Sequence, residues 1–241
     1  DPGWGSPIGN ALDHGVGYTM AQYRDHFDAH CGMEVVLPNG EVMRTGMGAL
    51  PGAKSWQEYP YGYGPYIDGL FSQSNFGVVT KMGFWLMPEP EAYRDGTVMV
   101  PRYRDLIPLI DILSKLTNAG IVNGRTSLES PLLEGRCKPE GSLSCVFHEA
   151  MLAQPGGPPP DQLERFGLAN DIPYWSCRLP FYGPEKVIYA QWEYAREQYA
   201  AIPGARFEDG PSYRFPLTLE QQAAADHIVD FGIPNLSVFR G

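Results

Sequence analysis

The sequence predicts an α+β fold built in two successive parts, and three observations carry that prediction. Residues 33–37 and 41–45 are strand-like runs on either side of Pro38-Asn39-Gly40, the pattern of a β-hairpin closed by an Asn-Gly turn. Beyond residue 95 two strand–helix–strand runs follow one another, each helix with apolar residues at helical spacing. The 28 glycines and 23 prolines among 241 residues demand many turns, which argues against a mostly helical protein.

Residues 1–19 crowd Gly3, Gly5, Gly9, Gly15 and Gly17 together with Ser6, Asn10 and Thr19. A loop of this kind exposes backbone N–H groups that can cradle a pyrophosphate without a lysine, and a plain surface loop has the same composition. It is not a Walker loop, because no Gly-Lys-Ser/Thr follows. Nor is it a Rossmann fingerprint, because no strand precedes the glycines and their spacing differs. The hairpin comes next, with polar positions that suggest one solvated face, and residues 46–62 read as loop. Within residues 63–88, Gly64-Pro65 makes a turn and Asp68 is expected to cap a short helix through Leu70 and Phe71. Asn75-Phe76-Gly77 then breaks that helix and releases a strand over 78–87, which Pro88 stops. Such a helix-to-strand elbow either packs tightly inside an α/β core or lets a flat cofactor lie against bare amides.

Composition shifts after Pro88-Glu89-Pro90, and a domain boundary is expected near residue 95. A strand over 97–100 leads to a helix over about 104–118, whose Leu106, Leu109, Ile110, Leu113 and Leu116 keep helical spacing until Asn118-Ala119-Gly120 stops it. A strand over 121–128 follows, then an irregular insert over 134–162 that ends in Pro158-Pro159-Pro160. Residues 174–181 read as a strand, and Pro184 opens a helix at a favoured first position. Ile188, Trp192, Ala195, Tyr199 and Ile202 hold its apolar register until Pro203-Gly204, and 206–208 is one more strand. The expected result is an antiparallel sheet with helices on one face.

The net charge of −10 argues against nucleic acid as a partner. No run approaches the roughly 18 apolar residues of a membrane span, and no secretory signal opens the sequence, which by itself decides little. The compartment is left open, with a soluble cytoplasmic or peroxisomal protein favoured. Cys31, Cys137, Cys145 and Cys177 form no CxxC pair and are expected as free thiols, the alternative being a bridge between Cys137 and Cys145, eight apart, in an oxidising compartment. His14, His26, His30, His148 and His227 show no HxxxH or HExxH spacing, so no metal site is expected. His30 and Cys31 cannot pair as base and nucleophile, since neighbours on a strand point to opposite faces.

Three stretches share a resemblance. They are Gly5-Ser6, Gly9-Asn10 and Gly15-Val16-Gly17-Tyr18-Thr19; Gly32 to Leu37 with Asn39-Gly40 and Arg44-Thr45-Gly46-Met47-Gly48; and Gly62 to Asn75 with Thr80-Lys81 and Trp85-Leu86-Met87-Pro88. Together they resemble the vanillyl-alcohol oxidase and 4-cresol dehydrogenase family of flavoproteins. The likeness is strong over 1–90 and weaker but collinear over 91–241, where Tyr182-Gly183-Pro184 and Ala201-Ile202-Pro203-Gly204 anchor it.

The resemblance implies the second part of a PCMH-type (p-cresol methylhydroxylase-type) FAD-binding domain over 1–94 and the first part of an α+β, ferredoxin-like cap domain over 95–241. FAD is the implied cofactor and a small phenol the implied substrate. Members of the family take a hydride from a para-alkyl or para-methylol phenol to flavin N5, through a p-quinone methide that becomes an alcohol, aldehyde or vinyl phenol. The phenolate pushes electrons toward the benzylic carbon, while the protein holds and orients the substrate. The alternatives are a related FAD enzyme of hydroxy acids or sugar acids, and a non-catalytic fragment or subunit.

Carried over residue by residue, Gly5, Ser6, Gly9, Asn10, Gly15, Gly17, Tyr18, Thr19, Asn75, Gly77, Val78, Val79 and Thr80 match the family's FAD-contacting loops. Asp1 matches an aspartate that sits near N5 and acts as a base toward the intermediate. Trp56, Tyr59, Tyr61, Tyr63 and Tyr66 are expected to fill a core or an interface rather than to stack on a phenol. Between Met20 and Tyr23 the sequence departs from the family's Thr-Pro-Tyr-Gly-Asp-His motif, though Asp25-His26 keep its end. The family's flavin-tethering His or Tyr and its phenolate-binding Tyr-Arg pair find no match, so half a site is expected here, the rest coming from a companion chain or a longer protein. Only a short loop follows Gly46-Met47-Gly48, which implies a homodimer rather than a higher assembly.

Overall fold

The computed structural model describes residues 5–17, 21–62, 64–132 and 156–221. They fall into two compact units, one running to Glu89 and taking in the short stretch from Thr218, the other Pro90–Leu217.

The first unit carries helices α1 (Pro7–Leu12) and α2 (Ala21–Arg24) and strands β1 (His30–Val36), β2 (Val42–Arg44) and β3 (Val78–Phe84). The strands form an antiparallel sheet in the order β2-β1-β3. The expected hairpin is present, pairing Glu34 with Arg44 and Val36 with Val42. Its turn uses Gly40 at φ 86°, with Gly40 N donating to Leu37 O at 2.8 Å and Asn39 Oδ1 accepting from Glu41 N at 3.1 Å. Met33 and Val35 point into a core shared with Phe27 and Phe71, while Glu34 on the opposite face meets Arg44 and Lys81.

Three local expectations need correction here. The glycine-rich opening is not loop throughout, because Ser6 Oγ accepts from Gly9 N at 3.0 Å and Pro7 starts a six-residue helix. Strand β3 stops at Phe84 rather than 87: Trp85 N still reaches Ala29 O at 2.9 Å, but β1 begins only at His30 and offers no ladder beyond. Asp68 caps nothing; it is the first residue of a 3₁₀ turn, Asp68–Phe71, and its carboxylate is buried against β1.

The second unit contains β4 (Ala92–Val100), α3 (Leu106–Asn118), β5 (Ser127–Glu129), α4 (Pro160–Ala169), β6 (Trp175–Gly183), α5 (Glu185–Tyr199) and β7 (Arg206–Arg214). Its sheet runs β5-β6-β4-β7, antiparallel throughout. Helices α3 and α5 pack Leu109, Leu116, Ile188, Trp192 and Tyr199 onto Val98, Val100, Cys177, Leu179 and Phe181 in one core. All five apolar positions expected from Ile188 to Ile202 are buried.

Differences from expectation have local causes. Gly120 at φ 68° donates to Thr117 O, and Ile121 N donates to Leu116 O at 2.9 Å, so residue 121 belongs to a helix cap and the strand forms only at the end of the expected span, over Ser127–Glu129. Helix α4 occupies the end of the supposedly irregular insert, most of which lies outside the described residues, as do Cys137 and Cys145. Strand β4 starts at Ala92, ahead of the expected Thr97. Strand β7 runs through Gly210-Pro211 to Arg214, because the ladder shifts between Arg94 and Gly96 and Asp95 sits against Gly210, where a Cβ would overlap its carboxylate. Cys31 and Cys177 are free and buried.

Candidate functional site

The described residues among those matched in the sequence all belong to the first unit. After α1 the chain doubles back: Gly15 N donates to Asn10 O at 2.8 Å, His26 N to Gly15 O at 3.1 Å, and Gly17 N to Arg24 O at 2.7 Å. Asn10 Oδ1 pairs with His26 Nδ1. A Cβ on Gly17 would come within 2.8 Å of His26 Nε2, so glycine is what lets the chain close on that ring. Gly5, Ser6, Gly9 and Asn10 remain exposed on the outside of this fold-back.

The second matched stretch is fastened to the first. Gln73 N donates to Leu12 O at 2.9 Å, Gln73 Nε2 to Asp13 Oδ1 at 3.2 Å, and His14 Nε2 lies 3.2 Å from Ser72 Oγ. Two segments distant in the chain are thus pinned together, and Gly9 and Asn10 on one and Asn75 and Phe76 on the other are exposed. Gly77 packs on the core, where a Cβ would meet Val35 Cγ1 at 2.5 Å. Val78 is 67% exposed, whereas Val79 packs inward and Thr80 Oγ1 is engaged by Glu34 Oε1 at 3.1 Å. Of the matched set, Asp1, Tyr18 and Thr19 lie outside the described residues.

A buried polar node was not foreseen. His30, Asp68 and Thr45 are 1%, 1% and 2% exposed. His30 Nε2 lies 2.9 Å from Asp68 Oδ2, Thr45 Oγ1 donates to the same oxygen at 2.9 Å, and His30 Nδ1 meets Phe27 O. Tyr66 Oη approaches His30 Nε2 at 3.3 Å. Partial burial, then the nearby Asp68, pushes the Tyr66 phenol up to about 12. No local pattern announces a pair 38 residues apart, and only the topology brings the two together. Cys31 turns the other way, its thiol donating to Gln57 O at 2.8 Å, and burial pushes that thiol up.

The aromatic group does not fill a core: Tyr59, Tyr61 and Tyr66 are 58%, 66% and 50% exposed. Trp56 alone is wedged in, against Gly32 and Gly48 with the Arg44 guanidinium 5.0 Å above its ring. Tyr63 lies outside the described residues. A cavity of about 280 Å³ opens beside the fold-back, lined by Tyr23, His26, Phe84, Trp85 and Leu86 among others. Among the described residues no helix is long and apolar enough to cross a membrane.

No family model matches the chain. A 4-cresol dehydrogenase [hydroxylating] flavoprotein subunit of Pseudomonas putida is 32% identical over 233 residues, which are 95% of this chain and 43% of that protein. The crystal structure of p-cresol methylhydroxylase with substrate bound matches at a TM-score of 0.73 and 31% identity, covering 97% of this chain and 43% of that one. Along nearly its whole length the chain is thus similar to PCMH-type flavoproteins. A 4-ethylphenol oxidase from Gulosibacter chungangensis, solved as its isoeugenol complex, matches at 0.73 and 35% identity over 98% of this chain and 45% of its own. An alkyldihydroxyacetonephosphate synthase, at 15% identity and a TM-score of 0.53, shares the fold alone. The chain spans less than half the length of each of these PCMH-type relatives.

Proposed function

We propose that this chain takes part in an FAD-dependent oxidation of para-substituted phenols, such as 4-hydroxybenzyl alcohols and 4-alkyl or 4-allyl phenols. The observation that supports it most is likeness at 31–35% identity, running through both units, to a p-cresol methylhydroxylase and a 4-ethylphenol oxidase. In this reading residues 1–94 are the second part of the flavin-binding domain and 95–241 the first part of the domain that covers the substrate.

The first unit's residues fit such a group. Gly5, Ser6, Gly9 and Asn10 are exposed around the start of α1, where Ser6 takes the Gly9 and Asn10 N–H groups, and the pinned neighbour stretch adds Asn75, Gly77 and the exposed side chains of Phe76 and Val78. Exposed backbone and small polar side chains beside apolar surface suit a flat ring system with a pyrophosphate tail. FAD, when bound, supplies the acceptor for the benzylic hydride. Asp1 takes the role of base toward the oxidised substrate, and Tyr18 and Thr19 join the cofactor-facing set. Fixing the phenol falls to groups outside these residues, on a companion chain or further sequence; the name of the Pseudomonas putida relative, a flavoprotein subunit, supports a companion chain. The short loop after Gly48 supports a homodimer of the flavin-bearing part.

The test is the protein purified from its natural source. A visible flavin spectrum that bleaches anaerobically with 4-hydroxybenzyl alcohol, and not with hydroxy acids or sugar acids, is the expected result. A flavin bleached only by the acids would transfer the function to those substrates, and absence of flavin would overturn the reading. A second reading, decarboxylation, is favoured by 40% identity over 124 residues to a 1'-carboxy-chondrochloren decarboxylase of Chondromyces crocatus. Carbon dioxide released from a carboxylated phenol in the same sample would establish it.

A further inference from the structure

We infer that His30, Asp68 and Thr45 are positioning residues whose buried node holds the segment 69–77 against the sheet and thereby sets the spacing of the two cofactor-facing stretches. The inference rests on the flavin reading above for its consequence, but not for its geometry. Three distant parts of the chain meet at one carboxylate oxygen: the start of β1 through His30 Nε2, the residue that follows β2 through Thr45 Oγ1, and the 3₁₀ turn that carries Asp68. Thr45 Oγ1 also accepts from Met33 N at 3.0 Å, so the hydroxyl is locked to the strand as well as to the carboxylate.

Among the described residues, the hydrogen bonds that join 66–71 to the strands all end on this node. The other bonds of that segment are local, from Leu70 N to Ile67 O, from Ser72 Oγ to Gly69 O and from Ser74 Oγ to Leu70 O. Phe71 adds apolar contact with the core but no direction. A little further along, Gln73 grips Leu12 and Asp13, so any shift of the turn reaches the glycine-rich stretch directly. A buried carboxylate with two donors tolerates no slack, because a missing partner leaves an unpaired group with no water to replace it. A protein that only needed its turn tethered has apolar means to do so; a node with fixed bond directions also specifies where the turn sits.

The experiment compares Thr45→Val, Thr45→Ser and Asp68→Asn with the unaltered protein, following amide hydrogen exchange without flavin and FAD binding by titration of the flavin-free protein. Thr45→Val and Asp68→Asn are expected to speed exchange at the Leu70 and Gln73 amides about tenfold or more and to weaken FAD binding by a similar factor, while Thr45→Ser restores both. The β1–β2 hairpin amides and the second unit should keep their exchange rates. Unchanged exchange at Leu70 and Gln73 overturns the inference. Faster exchange with unchanged FAD affinity, or loss of protection spread evenly over the hairpin, overturns the positioning role as well. Thr45→Val removes one hydroxyl and carries the test if Asp68→Asn fails to fold. Should the unaltered protein bind no FAD while the exchange pattern appears, the flavin reading falls and the node's hold on the segment is upheld.

Discussion

The two sheets of this protein are stabilised by different means. In the second unit, α3 and α5 cover one face with fully buried Leu109, Ile188, Trp192 and Tyr199, and the strands opposite contribute Val98, Val100, Leu179 and Phe181. In the first unit the buried cluster is Phe27, Met33, Val35 and Phe71, while Val42, Val78 and Leu86 stand 62%, 67% and 83% exposed among the described residues. There, polar groups supply part of the cohesion. The His30–Asp68–Thr45 node lies inside, and Glu34 gathers Arg44, Lys81 and Thr80 on the outer face. Apolar burial gives free energy without direction, whereas hydrogen-bonded groups give direction at little net gain. The second unit buries polar groups as well, Asp95 with Arg178 and Arg94 with Asp209, but beside a larger apolar core. The first unit, which carries the residues matched in sequence, therefore leans more heavily on direction.

Four predictions bear on that contrast. Trp192→Ala removes the ring that stacks on Arg94 and Arg196, packs against Gly96 and donates to Asp209 at 2.7 Å. It should destabilise the second unit by about 3–5 kcal/mol, read by denaturant unfolding, with hydrogen exchange in the β1–β2 hairpin unmoved. If the hairpin loosens equally, the two units are not energetically separate and the contrast fails. Gly96→Ala puts a Cβ 2.5 Å from Trp192 Cη2. It should cost about 1–3 kcal/mol through overpacking. Combining it with Trp192→Leu should recover part of that loss in a double-mutant cycle; additive losses would show that the clash is not the cause.

In the first unit, Gly40→Ala tests direction alone, since nothing lies within 4 Å of its Cβ position but its φ is 86°. A loss of about 1 kcal/mol in thermal unfolding is expected, and no loss would mean that the hairpin turn relaxes. The smallest effect belongs to Glu34. Its hydrogen bond from Lys81, then that from Arg44, holds its carboxyl below the usual 4.5. A lowered folded value stabilises the fold above the ordinary carboxylate range, and that contribution disappears as pH falls through the lowered value. Glu34→Gln should therefore flatten the acid limb of the first unit's stability curve below about pH 4.5 and leave the neutral region nearly unchanged. An acid limb of the same steepness in the variant would assign it to other carboxylates.

Much of the second unit was legible because a repeating apolar spacing has one solution. Ile188, Trp192, Ala195 and Tyr199 recur at helical intervals, and a sheet of matching apolar strands lies nearby in sequence. Helix α4 escaped the same reasoning. A proline run precedes it and Gly167 interrupts it, yet that glycine is what lets the helix approach Ile172 O, 2.8 Å from where a Cβ would stand. Strand β7 outruns the expected 206–208 for a similar reason, since Gly210-Pro211 says break locally while the neighbouring Asp95 needs the space.

For the candidate site, the amino-acid sequence by itself determined the hairpin, the glycine-rich stretch and the elbow at Asn75-Phe76-Gly77, because turns and strand runs are set by residues next to one another. The family likeness was also legible there, since long specific stretches survive in order. Only the tertiary structure decided that Gln73 would grip Leu12 and Asp13, that Asp68 would serve His30 and Thr45 instead of a helix end, and that Tyr59, Tyr61 and Tyr66 would face outward. The physical reason is range: a cap or a turn is settled within a few residues. The partner of a buried carboxylate is whichever donor the folded topology brings within about 3 Å, and no sequence interval encodes it.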